Sequence, residues 1–584
     1  MSIEREAIWA PLPNTARAIT THLSYDKKSD RIAYASGKSI FIRSVEKPEE
    51  SVQFTNHTFN TTVAKFAPSG FYIASGDESG NVKIWDTVGE DLIVKGEYQI
   101  INGRINDIAW DADSQRIIAV GNGKERYGHA FTWDSGNTVG EISGHSAQIN
   151  AVTIRPARPY RAATVGDDSA LVFYHGPPFR FNSTARGNHT NFVRDVRYSP
   201  SGEFLVSVGA DRNIVVYDGK TGEFIKKIGE GKHQGGIHAI SWVDNEKFVT
   251  SSADATVKLW NVSDGELLKS WELEKKLENQ QVGVIATDKY VIALSYSGDL
   301  NYFTQDSDKP VKSVKGHQKS ITASTVTKDW LITGSYDGRI AKWDLEKGSA
   351  EYEEGHSNLI AGLAATEDSV YSVGWDDKLK SLDGKISSEL PGQPKSVSYD
   401  SKLVAIITEE ILIAFANGKE SFQTKLSSTA TAVGASSKYI AVGFQNNTIT
   451  LYNATSGSKE FDLPPTRAAP SYLSFSPNGE YLAVGDVSGK IILYNVEKKE
   501  IQTSRWVFHT GRINSISWNK DNNRVVSGSL DTNIIVYQVD KPIKNIKFLG
   551  AHKDGVNTVE WISADEIISG GNDATLKKWK VNSA

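Results

Sequence analysis

Val82-Lys83-Ile84-Trp85-Asp86 is a short β-prone run closed by Trp-Asp, and versions of it return through the whole chain at intervals of about 42 residues. Good copies are Ala130-Phe131-Thr132-Trp133-Asp134, Val257-Lys258-Leu259-Trp260-Asn261, Ile340-Ala341-Lys342-Trp343-Asp344 and Leu576-Lys577-Lys578-Trp579-Lys580. Weaker ones end at Tyr217-Asp218, Tyr452-Asn453, Tyr494-Asn495 and Tyr537-Gln538. That period belongs to the four-stranded blade of a β-propeller. Around each copy, short runs of alternating apolar and polar residues are split by Gly, Asn and Asp turns, which is the strand-and-hairpin pattern. No segment carries a competing helical period.

Counting the strand-like runs gives fourteen units, ending near Ile42, Trp85, Trp133, Tyr174, Tyr217, Trp260, Phe303, Trp343, Leu382, Phe415, Tyr452, Tyr494, Tyr537 and Trp579. Propellers use about 4–8 blades, so fourteen units divide into two rings of seven. The boundary is expected near residue 310, with residues 16–310 forming the first ring and 311–584 the second. The last unit lacks its outer strand, and Glu6-Ala7-Ile8-Trp9-Ala10 has the length and pattern to supply it. Residues 1–15 are therefore expected to close the second ring, the alternative being that they close the first. Units eight to ten, which include Leu379-Lys380-Ser381-Leu382 and Ile411-Leu412-Ile413-Ala414-Phe415, read as shorter blades.

Composition narrows the function classes. The 584 residues are 39% hydrophobic with 14 Trp, 22 Tyr and 21 Phe, enough for packed cores rather than disorder. A formal charge of −5 without a basic block argues against nucleic acid. No apolar run approaches the ~18 residues of a membrane span. The polar start Met1-Ser2-Ile3-Glu4-Arg5-Glu6 is unlike a secretion signal, so the cytoplasm is the expected location. Zero cysteines exclude disulfides, thiolate metal sites and a cysteine nucleophile. With a single methionine as well, the chain reads as a rewritten sequence whose fold has been kept.

An Asp recurs six places before the Trp or Tyr at Asp211, Asp254, Asp337, Asp531 and Asp573, and a His opens units at His57, His145, His317, His356 and His552. In WD repeats such residues pair inside the blade, Asp to His to Ser/Thr to the indole N–H, because buried polar groups persist only when hydrogen-bonded. They are expected to be structural, and no catalytic residue, metal site or cofactor is assigned.

Two places break the repeat. The turn Gly121-Asn122-Gly123-Lys124-Glu125-Arg126-Tyr127-Gly128-His129 is enlarged by about six residues and must project into solvent, where binding residues tend to lie. Its plainer reading is a tolerated surface loop. In unit four the six-residue count gives Asp168 to the internal network, which leaves Asp167 pointing out of the equivalent turn of the next blade. Glu125 and Asp167 should then share one face. The Pro177-Pro178 pair presents Phe179 and Phe181 near the blade edge, either as an anchor for a protein partner or as packing against the neighbouring blade.

Longer segments resemble one family, actin-interacting protein 1, the WD-repeat cofactor of ADF/cofilin, and its fungal members above all. They are Ser75-Gly76-Asp77-Glu78-Ser79-Gly80, Thr132-Trp133-Asp134-Ser135-Gly136-Asn137, Gly176-Pro177-Pro178-Phe179, Asn279-Gln280-Gln281-Val282-Gly283, Thr503-Ser504-Arg505-Trp506-Val507-Phe508-His509-Thr510 and Ser529-Leu530-Asp531-Thr532-Asn533. The resemblance implies an all-β fold of two seven-bladed WD-repeat β-propellers in an open clamshell. It implies a monomeric, non-enzymatic protein of the actin cytoskeleton, at cortical patches if fungal. Such a protein binds cofilin-decorated actin filaments, promotes their disassembly and caps barbed ends, without nucleic acid or membrane as partner. It also implies that Glu125, Asp167 and Phe181 contact actin or cofilin. The depletion of Cys and Met departs from the family. The alternative is a generic WD-repeat scaffold for another complex, although such proteins usually carry an extra module that has no room here.

Overall fold

The computed structural model describes residues 2–582; Met1, Ser583 and Ala584, which the sequence reading gives to the second ring, lie outside them. The chain builds fourteen antiparallel sheets of four strands. Thirteen use four strands consecutive in the sequence. Apart from a single 3₁₀ turn at Leu277–Asn279, the regular structure of the described residues is all strand, and no helix is long and apolar enough to cross a membrane. The fold is all-β: two seven-bladed WD-repeat propellers.

In the first ring the blades span residues 24–54, 61–99, 103–141, 149–185, 193–228, 237–272 and 281–314. Successive innermost strands stand side by side around the circle, and that of blade 7 returns to that of blade 1. There the N–H of Thr21 donates to the carbonyl of Val282 at 3.0 Å. In the second ring blades 8 to 14 begin at residues 321, 360, 396, 430, 470, 513 and 556. Its circle closes where Asn557 Nδ2 of blade 14 donates to the carbonyl O of Ile321 in blade 8 at 2.8 Å.

Blade 14 is the exception in chain order. Its outermost strand is Ser2–Trp9, which pairs antiparallel with Leu576–Asn582 from Ser2↔Asn582 to Trp9↔Leu576. The two compact units are Leu12–Gln318 and Met1–Pro11 with Lys319–Ala584. The expected boundary at 310 is therefore early. Residues 312–314 form the outer strand of blade 7, pairing with Leu300–Phe303. Residues 12–15, expected with the second ring, belong to the first.

Each blade is buried on both faces by its neighbours, so its inner three strands read as continuous apolar runs while the outer strand alternates. In blade 2, Tyr72–Asp77 is buried from Ile73 onward, whereas Val94–Gln99 alternates half-buried with exposed residues. The core is accordingly a series of layers between blades. Val63, Ala74, Val82 and Ile84 of blade 2 meet Ile105, Ile108, Ile117, Ala119 and Phe131 of blade 3.

The Asp–His–Ser/Thr network is present in seven blades, and a Trp indole completes it in blades 2, 6 and 14. In blade 2 His57 Nδ1 lies 2.9 Å from Asp77, His57 Nε2 lies 2.7 Å from Ser75 Oγ, and Trp85 Nε1 donates to that Oγ at 3.0 Å. Equivalent His–Asp pairs are His145–Asp168, His189–Asp211, His233–Asp254, His356–Asp376, His509–Asp531 and His552–Asp573. Blade 8 differs in that Asp337 accepts from its own neighbour Ser335 Oγ.

A β-bulge sits at one fixed place of the innermost strand in most blades, for example between Ile105 and Asp107 and between Ile149 and Ala151. A bulge re-aims the skipped side chain. Here it turns Asn106 and Asn150 toward the next blade, where they donate to the carbonyls of Ile149 and Val193 at 2.9 and 2.8 Å.

Candidate protein-binding face of the first ring

The hairpin tip of blade 3 is extended rather than loose. Strand Arg116–Gly123 pairs with the inner strand as far as Gly103↔Gly123, while its pairing with Gly128–Thr132 stops at Val120↔Gly128. The overhang is tied down: Arg126 donates from Nε and Nη2 to the carbonyl of Ile100 at 3.1 and 2.7 Å, and the N–H of Gly121 donates to the carbonyl of Tyr127 at 2.7 Å. Side chains at 121 and 123 are excluded, because a Cβ there would meet the carbonyl O of Arg104 at 1.9 Å and of Arg126 at 2.0 Å. Tyr127 packs inward against the layer between blades 3 and 4. Lys124 and Glu125 are left exposed at the tip, and Glu125 has no ion pair among the described residues.

Asp167 occupies the corresponding connection of blade 4 but does not point freely outward. It is half-buried, and its two oxygens accept from Gln148 Nε2 and Asn150 Nδ2, both at 2.8 Å. Asp168 turns into the blade toward His145 at 3.0 Å, as the six-residue spacing requires. The bulge brings the Asn150 amide under Asp167, so the carboxylate folds over the inner strand to meet it. Arg194 of blade 5 feels its charge: burial lowers the guanidinium's pKa and Asp167 opposes that shift. Arg194 also stacks over the exposed ring of Phe192 at 5.4 Å. Sequence reasoning missed both residues, which obey the repeat spacing and carry no motif.

The two phenylalanines after Pro177-Pro178 part company. Phe179 is fully buried against blade 3, its N–H donating to the carbonyl of Val139 at 2.8 Å and its carbonyl accepting from Glu141 at 3.1 Å. Phe181 stands on the outer strand Arg180–Ala185, opposite Tyr174, and is 50% exposed. Its ring lies over Gly144, where a Cβ would approach it to 2.9 Å. Phe181 and Asp167 thus flank one segment, the entry to blade 4 that carries Gly144, His145 and Gln148. Among the described residues no hydrogen bond, ion pair or ring contact joins Glu125, Asp167 and Phe181 to one another.

Six stretches, 49–86, 182–218, 225–261, 308–344, 500–538 and 543–580, match the WD domain, G-beta repeat. Over 100% of both chains the protein is 42% identical to an uncharacterized WD repeat-containing protein of Schizosaccharomyces pombe. It is 37% identical to actin-interacting protein 1 of Drosophila melanogaster, covering 99% of this chain and 98% of that one. The chain belongs to the actin-interacting protein 1 family. The family member of Caenorhabditis elegans is 34% identical over 98% of each chain.

The family resemblance gave no hint of a polar cluster lining the channel of the first ring. Arg197 Nη1 donates to Asp107 at 3.0 Å, and its Nη2 lies 3.1 Å from Asp195 and 3.0 Å from His22 Nδ1. Lys65 stands 3.5 Å from Asp107. Burial opposes ionisation of Asp107, but Arg197, His22 and Lys65 hold it well below the usual carboxylate range. Burial likewise lowers the pKa of His22, against the pull of Asp107 and Asp195. His22, Asp107 and Asp195 have the spacing of a three-ligand metal group. The guanidinium of Arg197 sits among them, so the chain itself supplies the matching cation. The available signal was an acid within an inner strand, three residues before its closing aromatic, in Asn106-Asp107-Ile108 and Arg194-Asp195-Val196.

Proposed function

We propose that this chain binds actin filaments together with ADF/cofilin, promotes their disassembly and caps the barbed ends produced. Membership of a family whose fly and worm proteins are named for interacting with actin supports the actin partner. The observation that carries the site is Glu125: an unpaired acid on a hairpin tip held in place by Arg126. Such a group is already positioned for a basic partner group and contributes mainly orientation and association rate. Asp167 with Arg194 adds a polar patch of mixed charge, and Phe181 adds a half-exposed aromatic of the kind that dominates interface energetics.

The mechanism is differential binding. A protein that holds the cofilin-altered filament more tightly than the bare one shifts the equilibrium toward severed and capped fragments. No covalent bond changes, and the protein acts as a monomer in the actin cytoskeleton of the cytoplasm.

Filament co-sedimentation with and without cofilin tests the reading. Disassembly should depend on cofilin, and Glu125→Ala, Asp167→Ala and Phe181→Ala should each slow it by roughly tenfold, equivalent to about 1.4 kcal/mol of contact energy. Undiminished filament loss in all three variants would remove the site, and loss that ignores cofilin would remove the function.

A further inference from the structure

The channel of the second ring holds an acid, Glu560, that makes no ion pair among the described residues. Glu560 lies on the innermost strand Val556–Trp561 of blade 14 and lines a cavity of about 640 Å³. Its Oε1 accepts from Ser324 Oγ of blade 8 at 3.0 Å and its Oε2 from Ser517 Oγ of blade 13 at 3.4 Å. Those two hydroxyls are its hydrogen-bond donors among the described residues. Tyr399 and Tyr472 reach the same space from blades 10 and 12, close enough for the carboxylate charge to add to the burial that raises both phenols. Burial pushes the Glu560 carboxyl up to about 7. At the register of Glu560, one residue before the aromatic that ends the inner strand, the first ring carries Lys65 and Arg197, which meet Asp107 and Asp195. The fold can therefore supply a cation at this depth, and in the second ring it does not.

We propose that this channel is a binding site for a small alkylammonium ion, with Glu560 as its counter-charge. Removing a carboxylate from water is costly unless an opposite charge and hydrogen bonds replace the water. An ammonium group brings one positive charge and three donors. Around Glu560 it finds carboxylate lone pairs, the serine hydroxyls and two tyrosines, whose rings also favour cations. A divalent metal ion would need several oxygen ligands with more negative charge than one carboxylate offers. A guanidinium fork prefers two open, coplanar oxygens, and here each oxygen already carries a serine hydroxyl.

Calorimetric titration of the full chain with putrescine, at low salt and without actin, tests this independently of the filament reading. One saturable site is expected at about pH 8.5, weakened by at least about tenfold at about pH 5.5, where Glu560 is protonated. Burial raises Tyr399 and Tyr472, so both stay phenols across that range, and the amine stays charged; Lys328 and Lys520 also stand in the cavity wall. Glu560→Gln should abolish binding at the higher pH, and Ser324→Ala should weaken it several-fold. Absence of saturable binding at the higher pH, indifference to pH, or equal binding by Glu560→Gln would each overturn the site. Because the pH arm uses the unaltered protein, the outcome does not hang on how a variant folds.

Discussion

Thr250 serves two buried ring systems at once, accepting from Trp260 Nε1 at 2.9 Å and lying 2.8 Å from His233 Nε2. Thr250→Val keeps the shape and orphans both, so it should cost about 1–3 kcal/mol, read as a lower denaturant midpoint. The same networks set an acid limit. Burial lowers the pKa of His233, His356 and His552, so the unfolded chain takes up these protons first as the pH falls below about 6.5. Burial opposes ionisation of Asp531, but the hydrogen bond from His509 and its other donors bring it down to about 2. Its contribution is present above the unfolded value of about 4 and is lost as the pH falls through the folded one. Melting temperature should therefore decline from about pH 6.5 and keep declining toward about pH 2; a flat profile across that range would contradict the assignment. Glu560 has the opposite sign: its raised pKa favours the fold below about 4.5 and that contribution fades as the pH rises through about 7. Glu560→Gln should accordingly raise the melting temperature at about pH 8 and leave it nearly unchanged at about pH 4. The spacing rule found Asp211, Asp254, Asp531 and Asp573 because the hairpin after them has constant length. It passed over Asp77, eight places before Trp85, because that Asp stands two positions earlier in a hairpin of the same length. Asp376 obeys the spacing but precedes Leu382 instead of a Trp, so nothing flagged it.

At the level of the strand, Ser2–Trp9 is the most testable element. Its last residue Trp9 is 5% exposed and stacks on Trp343 of blade 8 at 5.7 Å. Deleting residues 2–9 should uncover the edge of Leu576–Asn582, lower the melting temperature and promote self-association, which sedimentation would detect. Trp9→Ala alone should cost about 3–5 kcal/mol. Strands with two buried faces were legible because burial writes them as dense apolar runs. Outer strands were not: Lys312–Val314 and Ser387–Glu389 are three residues long and defined by pairing rather than by pattern. That is why the ring boundary was read early. The hairpin of blade 3 was visible as an insertion, but its rigidity was hidden, since it depends on Arg126 meeting a carbonyl 26 positions upstream. Arg126→Ala should leave global stability nearly unchanged while raising amide exchange across residues 121–127.

For the molecule as a whole, the division of the chain makes the rings unequal as fragments. Residues 12–318 contain every strand of seven sheets and should fold alone with a single cooperative unfolding transition. Residues 319–584 lack one strand and should need a peptide of residues 2–11 to reach comparable stability; equal stability without it would contradict the pairing. Synthesis imposes a stranger consequence. The first strand to leave the ribosome must wait for the last, and at about 5–20 residues per second that wait is roughly half a minute to two minutes. Throughout it, the strand Ser2–Trp9 is an uncommitted ribbon that must reject every unfinished sheet growing behind it. Its charged stretch Glu4-Arg5-Glu6 suits that interval, keeping the ribbon wet until the final hairpin emerges.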